Sequence, residues 1–363
     1  MLNDCLRKIH EWSEQWLVKF NTEKTESLLV SRKINKPRHP TLFMNNVPVS
    51  EVKHHKHIGL FLSHDGTEHI NYMIKKTSNK LAILRRFRFK IDRNSLQTLY
   101  FSFIRPILEY GDIVWDNLTI QQCQSLENIQ LEAARIITGG TKLTSHAKLY
   151  EETGWDTLQY RRKVKKTVQV HKMIFDLTPP YLSNLLPQRR MDVHQYNTRD
   201  ADNLNNVFCK TNFYKNSFLP SSIDLWNSLP PDIKNSPSLS NLKKYLHRHS
   251  PTVPPYYSYG KRSDQVHHAR LRMNCSSLNA HLFSRNLIDS PVCSCRQAYE
   301  TTEHFLLSCP NYTIVRNECF VDLPIDYTFD MLLYGNPNLS ITENENIFHC
   351  IQLYILKTKR FLN

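Results

Sequence analysis

The sequence predicts an α+β fold that is mainly α-helical. Apolar residues recur at spacings of three and four over much of residues 1–180, which is typical of amphipathic helices. Short apolar runs bounded by Asn and Pro occur in residues 27–63 and predict a few strands. The chain has 363 residues, of which 40% are hydrophobic and only 8 are Gly, so its composition favours folded domains over a disordered or fibrous protein.

The first sixty residues predict a helix beside a small antiparallel sheet. Because the helical pattern starts directly after Met1 without a capping sequence, we expect the natural domain to begin further upstream. Residues 27–31 predict a short buried strand, Asn45 and Asn46 a hairpin turn, and residues 56–63 another strand. The apolar positions of the helix, which predict one buried face, are Leu2, Leu6, Ile9, Trp12, Trp16 and Leu17.

Residues 66–140 predict a bundle of three helices. Each helix has a wide apolar stripe, and its Lys and Arg residues fall outside that stripe. Asp92 is expected to cap the second helix, and Gly139 is expected to end the third. A helical bundle therefore follows the small sheet.

A further basic helix is predicted over residues 157–177, where apolar and cationic positions again alternate at helical spacing. The following stretch, residues 179–255, is rich in Pro, Asn and Ser, so we expect it to be partly irregular. Within it, Leu225, Trp226 and Leu229 are the best candidates for local anchors.

The charge balance predicts a polyanionic partner. The chain has 47 Lys and Arg against 33 Asp and Glu, a net charge of +14, and its pI is about 9.3. Nucleic acid is the usual polyanion, although a basic protein without such a partner, or one that meets acidic lipids, has the same composition. Two clusters concentrate the charge, and each by itself also fits a solvated basic face. The first cluster has Lys75, Lys76, Lys80, Arg85, Arg86, Arg88 and Lys90, and the second has Arg161, Arg162, Lys163, Lys165 and Lys166.

The cysteine pattern favours a reducing compartment. The nine cysteines are mostly isolated and lack the dense, even spacing of a secreted disulfide scaffold. The chain has neither a signal-peptide pattern at its start nor a run of about 18 apolar residues. We therefore expect an intracellular protein, nuclear or cytoplasmic, that does not span a membrane.

A C-x-C-x8-H-x4-C pattern predicts a metal site. Three thiolates and one imidazole match the ligands of tetrahedral zinc, and four protein ligands leave no position for water, so the site would be structural. Zinc would also supply folding energy to a short segment with few apolar residues. Two alternatives remain open, namely ordinary cysteines near a surface histidine, and replacement of one ligand by Cys275 or Cys319. The four predicted ligands are Cys293, Cys295, His304 and Cys309.

Motifs of catalysis are absent from the sequence. No two aspartates are adjacent, so the chain lacks a pair of the kind that holds the two metal ions of polymerase chemistry. It also lacks a G-x-x-x-x-G-K phosphate loop, an H-E-x-x-H zinc motif and a G-x-S-x-G nucleophile motif. The sequence therefore favours binding over catalysis.

An ordered series of blocks resembles the reverse transcriptases of non-LTR (LINE-like, jockey-type) retrotransposons. WLVKFNTEKTESLLVSRK resembles the part of the palm that follows the catalytic aspartates, and HKHIGLFLSHDGTEHI resembles the primer-grip hairpin. SFIRPILEYGDIVWD and LENIQLEAARIITGGT resemble the thumb. GWDTLQYRR, SFLPSSIDLWNSLPPDI and the Cys/His pattern follow in the order of that family, so the likeness spans nearly the whole chain.

The resemblance implies a division into five segments. These are a palm remnant with the primer-grip hairpin (1–65), a helical thumb (66–145), a basic helix with an irregular linker (146–255), a zinc-knuckle-like domain (256–320) and a C-terminal helical tail (321–363).

The resemblance also implies roles for two residues. Lys24 matches the lysine of an N-x-x-K-T block and would assist the leaving group of the incoming nucleotide. Gly59 matches the primer-gripping hairpin, where a residue without a side chain lets nucleic acid approach the backbone. A strand bulge would explain Gly59 equally well.

The activity implied for the family is RNA-directed DNA synthesis with Mg²⁺ on an RNA template and a DNA primer. Since the aspartate pair lies outside this sequence, we expect a nucleic-acid-binding, C-terminal fragment of such an enzyme that is inactive alone. One alternative is a domesticated RNA- or DNA-binding protein that uses the thumb and the zinc knuckle. Another is a polymerase whose remaining half comes from a second chain.

Overall fold

The computed structural model describes residues 1–31, 33, 35, 37–193, 200–250 and 252–361. The chain forms two compact units, Met1–Lys75 and Lys76–Asn363. Helices dominate, and the strands are short and confined to the first unit among the described residues. The predicted class, α+β and mainly helical, is therefore confirmed.

The first unit contains one helix and three two-stranded pairs. Strand β1 pairs with β4 in parallel, whereas β2 pairs with β3 and β5 with β6 in antiparallel fashion. The prediction of a purely antiparallel sheet is thus wrong for β1 and β4, because residues 29–49 are long enough for the crossover that a parallel pair needs. The elements are α1 (Leu2–Gln15), β1 (Glu26–Leu28), β2 (Phe43–Met44), β3 (Val47–Pro48), β4 (Ser50–Val52), β5 (His54–His57) and β6 (Leu60–Ser63).

Two tight turns set the register of the antiparallel pairs. Asn45 and Asn46 have φ angles of 50° and 58°, as a two-residue type I′ hairpin turn requires, so the predicted hairpin is confirmed. Ile58 and Gly59 have φ angles of 46° and 82° and turn the chain in the same way. The prediction of one strand over residues 56–63 is therefore wrong. A turn at Ile58 and Gly59 divides this stretch, and the apolar pattern alone does not reveal it.

Helix α1 is present as predicted, but its apolar face is not buried. Trp12 is 49% and Trp16 64% exposed, and Ser13 is the buried residue of this helix among those described. Strand β1 is likewise shorter than predicted and only half-buried. Helical periodicity shows that a face is apolar, whereas burial depends on what packs against it.

The predicted helical bundle begins with a helix that starts in the first unit and ends in the second. Asp92 caps α3 by accepting a hydrogen bond from the Ser95 backbone N–H at 3.0 Å, and Gly139 ends α6 in the left-handed conformation, both as predicted. A π-helical turn, Tyr100–Ile104, separates α3 from α4. The helices are α2 (Thr67–Phe87), α3 (Arg93–Leu99), α4 (Arg105–Glu109), α5 (Asp112–Trp115), α6 (Ile120–Thr138), α7 (His146–Thr153) and α8 (Leu158–Ile174).

Short helices follow α8, in agreement with the prediction of a partly irregular stretch. They surround a small core in which Trp226, Ile223 and Leu242 pack against Val170 of α8. Trp226 is therefore the anchor that the sequence indicated. These helices are α9 (Pro180–Ser183), α10 (Arg190–Val193), α11 (Asn212–Lys215), α12 (Phe218–Asn227), α13 (Pro231–Lys234) and α14 (Leu239–Leu246).

The C-terminal part has an extensive apolar core of its own. Phe305 and Leu306 are fully buried in it against Phe348, Ile351 and Tyr354 of the last helix. No helix in the described ranges combines the length and the apolar character needed to cross a bilayer. The helices are α15 (Arg262–Arg272), α16 (Asn279–Phe283), α17 (Thr313–Cys319), α18 (Phe329–Tyr334) and α19 (Ile341–Lys357).

A buried ion triad joins α15 to the helical bundle. Glu152 of α7 accepts from Arg93 Nη1 at 2.6 Å and from Arg272 Nη2 at 2.7 Å, and all three side chains are almost completely buried. Burial alone would raise the pKa of Glu152, but the two guanidinium groups outweigh it and lower the pKa to about 2. The carboxylate is therefore ionised and holds elements that are far apart in sequence.

Candidate metal centre and nucleic-acid interface

The first two predicted metal ligands lie on a tight turn. Arg296 donates its backbone N–H to the Cys293 carbonyl at 2.8 Å and adopts a left-handed φ of 62°. The Cys293 N–H then donates to the Ala298 carbonyl at 2.9 Å, which closes the turn. Cys293 and Cys295 are thereby presented from one short, hydrogen-bonded loop.

The other two predicted ligands lie at the ends of a π-helical turn, His304–Ser308. The Cys309 N–H donates to the His304 carbonyl at 2.8 Å, which fixes their separation. Arg316 donates to the Leu306 and Cys309 carbonyls at 2.7 and 2.9 Å and so satisfies the end of this turn. Phe305, which follows His304, anchors the turn in the C-terminal core.

The ligand atoms of these four residues lie within 4.8 Å of one another. The Sγ atoms of Cys293 and Cys309 are 3.6 Å apart, and Cys295 Sγ is 3.2 Å from His304 Nε2. Tetrahedral zinc, with Zn–S and Zn–N bonds of roughly 2.3 and 2.0 Å, needs sulfur–sulfur separations of roughly 3.8 Å and sulfur–nitrogen separations of roughly 3.5 Å. A disulfide needs a sulfur–sulfur distance of roughly 2.05 Å, so the arrangement fits a metal ion and excludes that bond.

The surroundings of the four ligands are dry and orient them. Cys293 and Cys309 are buried, and Ser308 Oγ lies 3.1 Å from His304 Nδ1, which leaves Nε2 directed at the sulfurs. Burial raises the pKa of the Cys309 thiol, whereas the backbone N–H of Gln297 lowers the pKa of Cys295. The cluster can therefore hold a metal ion through four protein ligands.

The alternative ligands raised by the sequence do not join this cluster. Cys275 and Cys319 are buried elsewhere, and within the described ranges no other group of three or more potential ligands comes together. His281 lies between two hydroxyls, with Nδ1 2.8 Å from Ser276 Oγ and Nε2 3.1 Å from Thr302 Oγ1. Its two ring nitrogens therefore face hydroxyl groups, and it is not part of the cluster.

The first cationic cluster is exposed in the structure, except for Lys80, which is half-buried. Arg86 and Lys90 point to solvent, Arg88 stacks over the ring of Phe89 at 4.5 Å, and Lys80 lies 5.5 Å from the ring of Phe103. Arg85 pairs with Glu132 at 3.0 Å and stays half-exposed. Lys75, in the first unit, is exposed as well. The α2 cationic surface consists of Lys76, Lys80, Arg85, Arg86, Arg88 and Lys90.

The second cationic cluster is largely neutralised by acids. Glu109 lies 2.5 Å from Arg161, and Asp116 lies 2.5 Å from Arg162. Asp116 also lies 2.7 Å from Lys166, which is buried, as Arg162 is.

Lys165 of the same cluster is paired too, with Asp112 at 2.7 Å. Lys163 is the exposed cation of the set. The sequence did not indicate these acids as partners because they lie some fifty positions earlier in the chain. Their helical spacing, at positions 109, 112 and 116, is a signal that a comparison of helix faces can detect.

The two residues singled out by resemblance lie in the first unit. Lys24 is exposed on a short 3-10 turn, Thr22–Lys24, which Asn21 caps through its side chain at 3.1 Å. Gly59 forms the tip of the β5–β6 hairpin, so the turn replaces the strand bulge as the explanation of its conformation.

Comparisons with known proteins give two relatives. The chain is similar to the retrovirus-related Pol polyprotein from type-1 retrotransposable element R1 of Bradysia coprophila, with 21% identity over 331 residues that cover 86% of this chain and 29% of that protein. It is also similar to the probable RNA-directed DNA polymerase from transposon X-element of Drosophila melanogaster, with 24% identity over 143 residues that cover 38% of this chain and 16% of that protein.

No family model matches the chain, and no solved structure matches it. The chain spans less than a third of the length of each curated relative. Both relatives are nevertheless proteins of retrotransposable elements, the class that the sequence blocks resemble. The chain is therefore similar to the Pol polyprotein and to the RNA-directed DNA polymerase of retrotransposable elements, in agreement with the resemblance of its sequence to reverse transcriptases.

Proposed function

We propose that this chain is a nucleic-acid-binding, C-terminal fragment of a retrotransposon reverse transcriptase. The similarity to a Pol polyprotein over 86% of the chain carries the proposal. The activity of the whole enzyme would be RNA-directed DNA synthesis with Mg²⁺ on an RNA template and a DNA primer. The chain binds nucleic acid but does not polymerise it alone, because it contains no adjacent aspartates to hold the two metal ions of polymerase chemistry.

We propose that the chain divides into five segments, with boundaries after residues 65, 145, 255 and 320. Residues 1–65 form the edge of the palm, and the β5–β6 hairpin with Gly59 at its tip meets the primer. Residues 66–145 form the thumb, in agreement with their helical structure. Lys24 is exposed, as an auxiliary to the leaving group of the nucleotide needs to be. None of the nine cysteines forms a disulfide in the described residues, which supports a nuclear or cytoplasmic location.

The α2 cationic surface is the better candidate for contacts with phosphates. Arg86, Arg88 and Lys90 of this surface are exposed and make no ion pair in the described structure, so binding through them releases condensed counterions without first breaking an ion pair. Four of the five cations in the second cluster already have carboxylate partners. Of that cluster, Lys163 is the residue whose exposure favours a role in binding.

The metal is zinc, in a structural role. Three thiolates and one imidazole are the ligand set that zinc prefers, and Cys293, Cys295, His304 and Cys309 fill all four positions. When bound, zinc would supply folding energy to the loop and turn that carry these ligands. The chain's own part is to hold the imidazole through Ser308 and to exclude water through Phe305 and Leu306.

Nucleic-acid binding is tested by fluorescence anisotropy with labelled RNA, an RNA–DNA hybrid and single-stranded DNA at several salt concentrations. We expect affinity to fall steeply as salt rises. R86Q/K90Q should weaken binding about tenfold, since each change removes an exposed charge next to phosphate. Absence of binding by the wild type at low salt would contradict the proposal. Primer extension by the purified chain with Mg²⁺ would contradict its inactive part.

The zinc assignment is tested by the metal content of purified protein. We expect about one zinc per chain, and nearly none in Cys309→Ser, because three ligands bind a structural zinc far more weakly than four. Cys209→Ser is the matched control, since it makes the same substitution outside the cluster. Wild-type protein without zinc, or equal loss in both variants, would overturn the assignment.

A further inference from the structure

A cationic cavity of about 270 Å³ lies beside the C-terminal end of α6, between the chain that follows α2 and helix α15. Its mouth is at the protein surface, where Arg88, Phe89 and Lys142 are exposed. Five cationic side chains and one carboxylate line it, so its charge is strongly positive. These are Arg88, Arg135, Lys142, Arg262, Arg270 and Glu132.

A glycine brings the two walls of this cavity together. Gly139 has a φ of 79°, and a Cβ at this position would lie 2.6 Å from both γ carbons of Val266 in α15. With glycine there, α15 reaches the end of α6, where Arg270 Nε donates to the Gly139 carbonyl at 2.8 Å. Arg262 likewise donates to the Ile136 carbonyl at 2.7 Å. The carbonyls at the end of α6 are therefore satisfied by cations from α15.

These hydrogen bonds do not engage every donor nitrogen of the arginines that line the cavity. Arg262 Nη1 and Arg135 Nε are shielded from solvent and have no acceptor among the described residues. Glu132, the single carboxylate of the lining, is divided between Arg85 at 3.0 Å and Arg135 at 3.5 Å. Burial, followed by the charge of Arg93, lowers the pKa of Arg262 to about 10. The cavity therefore carries more positive charge than its single carboxylate compensates.

The Arg93–Glu152–Arg272 triad differs from this cavity in how its buried arginines are compensated. There, one fully buried carboxylate accepts from both guanidinium groups, so no charge lacks a partner. In the cavity, Arg262 donates to the Arg88 and Ile136 carbonyls and Arg270 donates to the Gly139 carbonyl, so both guanidinium groups have only neutral acceptors. Buried donors without acceptors are rare in folded proteins and mark places where an ion or ligand belongs.

We infer that this cavity binds one phosphate group of a nucleic-acid backbone. Converging guanidinium groups match the geometry of phosphate oxygens, and the exposed ring of Phe89 at the mouth offers a surface on which a neighbouring base can stack. The cavity is smaller than the roughly 300–1,000 Å³ of a drug-sized ligand site, which suits a single phosphate rather than an enclosed nucleotide. The inference rests on the proposed binding of nucleic acid.

The competing explanation is that the arginines of α15 only cap α6. Capping would use Arg262 and Arg270 but would give no role to Arg88 and Lys142 at the mouth. These two residues make no hydrogen bond or ion pair through their charged groups in the described structure, so replacing them leaves the caps intact. The variant R88Q/K142Q therefore separates ligand binding from folding.

The first arm of the test measures single-stranded RNA and DNA binding by the full chain. R88Q/K142Q should bind about tenfold more weakly than wild type, and the slope of log affinity against log salt should fall by about 0.7 for each lost phosphate contact. K243Q/K244Q is the matched control, because it removes two exposed charges on α14 outside the cavity. Equal affinity in the two variants would overturn the inference while leaving the proposed function intact.

The second arm uses inorganic phosphate alone and measures the midpoint of thermal unfolding against chloride at matched ionic strength. Phosphate should raise the midpoint of wild type and of K243Q/K244Q but not of R88Q/K142Q. If wild type binds no nucleic acid, the proposed function fails, and this arm decides the cavity by itself. Equal stabilisation of all three proteins, or of none, would overturn the phosphate site.

Discussion

The α2 cationic surface and the cationic cluster of α8 look alike in sequence but differ in structure. The cations of α2 mostly face solvent, whereas Arg162 and Lys166 of α8 are buried against Asp116. Local charge density is similar in both stretches, and what differs is the presence of carboxylates from a distant segment. A count of positive residues therefore does not predict which of them can meet a phosphate.

The difference also decides what each cation contributes. An exposed cation adds little to stability and is free to take part in salt-dependent binding. A buried cation has lost its hydration, so its partner must remain in place. Arg93 lies near the α2 surface in sequence but is buried against Glu152, and it behaves like the cations of α8.

The strongest test of this comparison is Glu152→Gln. We expect the free energy of unfolding to fall by about 3–5 kcal/mol, because the change leaves Arg93 and Arg272 buried without a counter-charge. Urea unfolding followed by circular dichroism measures it. Glu151→Gln is the matched control, since its exposed pair with Lys148 should be worth less than about 1 kcal/mol. Similar losses in both variants would remove the distinction between buried and exposed pairs.

Acid should weaken the same triad more gradually. The pKa of Glu152 is about 2 in the folded chain against an ordinary value of 4.5, so its stabilisation is fully present above 4.5 and is lost as pH falls towards 2. The expected loss is up to about 3 kcal/mol over this range. The measurement compares the free energy of unfolding of wild type and Glu152→Gln between pH 6 and pH 2, where the gap should narrow. A constant gap would contradict the shifted pKa.

A smaller effect is expected when a paired cation of α8 is removed. Arg161→Gln should lower the free energy of unfolding by about 1–2 kcal/mol, because it deprives Glu109 of one of its charged donors. Its affinity for RNA should stay within about twofold of wild type, since the residue is engaged inside the protein. Anisotropy titration and urea unfolding measure the two quantities. A loss of affinity without a loss of stability would indicate that the α8 cluster contacts nucleic acid directly.

The smallest effect on stability is expected for Arg86→Gln on the α2 cationic surface. The free energy of unfolding should change by less than about 0.5 kcal/mol, because the side chain is exposed. RNA affinity should nevertheless fall, with a salt slope reduced by about 0.7. Unchanged RNA affinity of Arg86→Gln, together with weaker binding by Arg161→Gln, would show that the α8 cluster rather than the α2 cationic surface binds RNA.

Local signals in the sequence predicted local structure well. Asp92 as a cap, Gly139 as a helix end and the turn at Asn45 and Asn46 each follow from the chemistry of one or two residues. The Cys/His cluster was also predictable, because its spacing places four ligands in one short segment. The class of fold followed from periodicity.

Features made by distant residues were not predictable in this way. The exposure of Trp12 and Trp16 depends on what packs against α1, which periodicity does not contain. The pairing of Arg162 needs Asp116, and the cationic cavity needs Arg262 to meet the end of α6. The last two features join segments that lie more than forty positions apart, and a single sequence gives no information on the distance between such segments.

The packing of α19 over the Cys/His segment sets a lower limit on any excised fragment. Tyr354 donates its hydroxyl hydrogen to the Phe305 carbonyl, one residue after His304, and Ile351 fills the same core. A peptide cut at residue 320 would carry every sulfur and nitrogen ligand yet leave Phe305 and Leu306 without their apolar cover. A fragment designed for spectroscopy of the metal should therefore extend through α19.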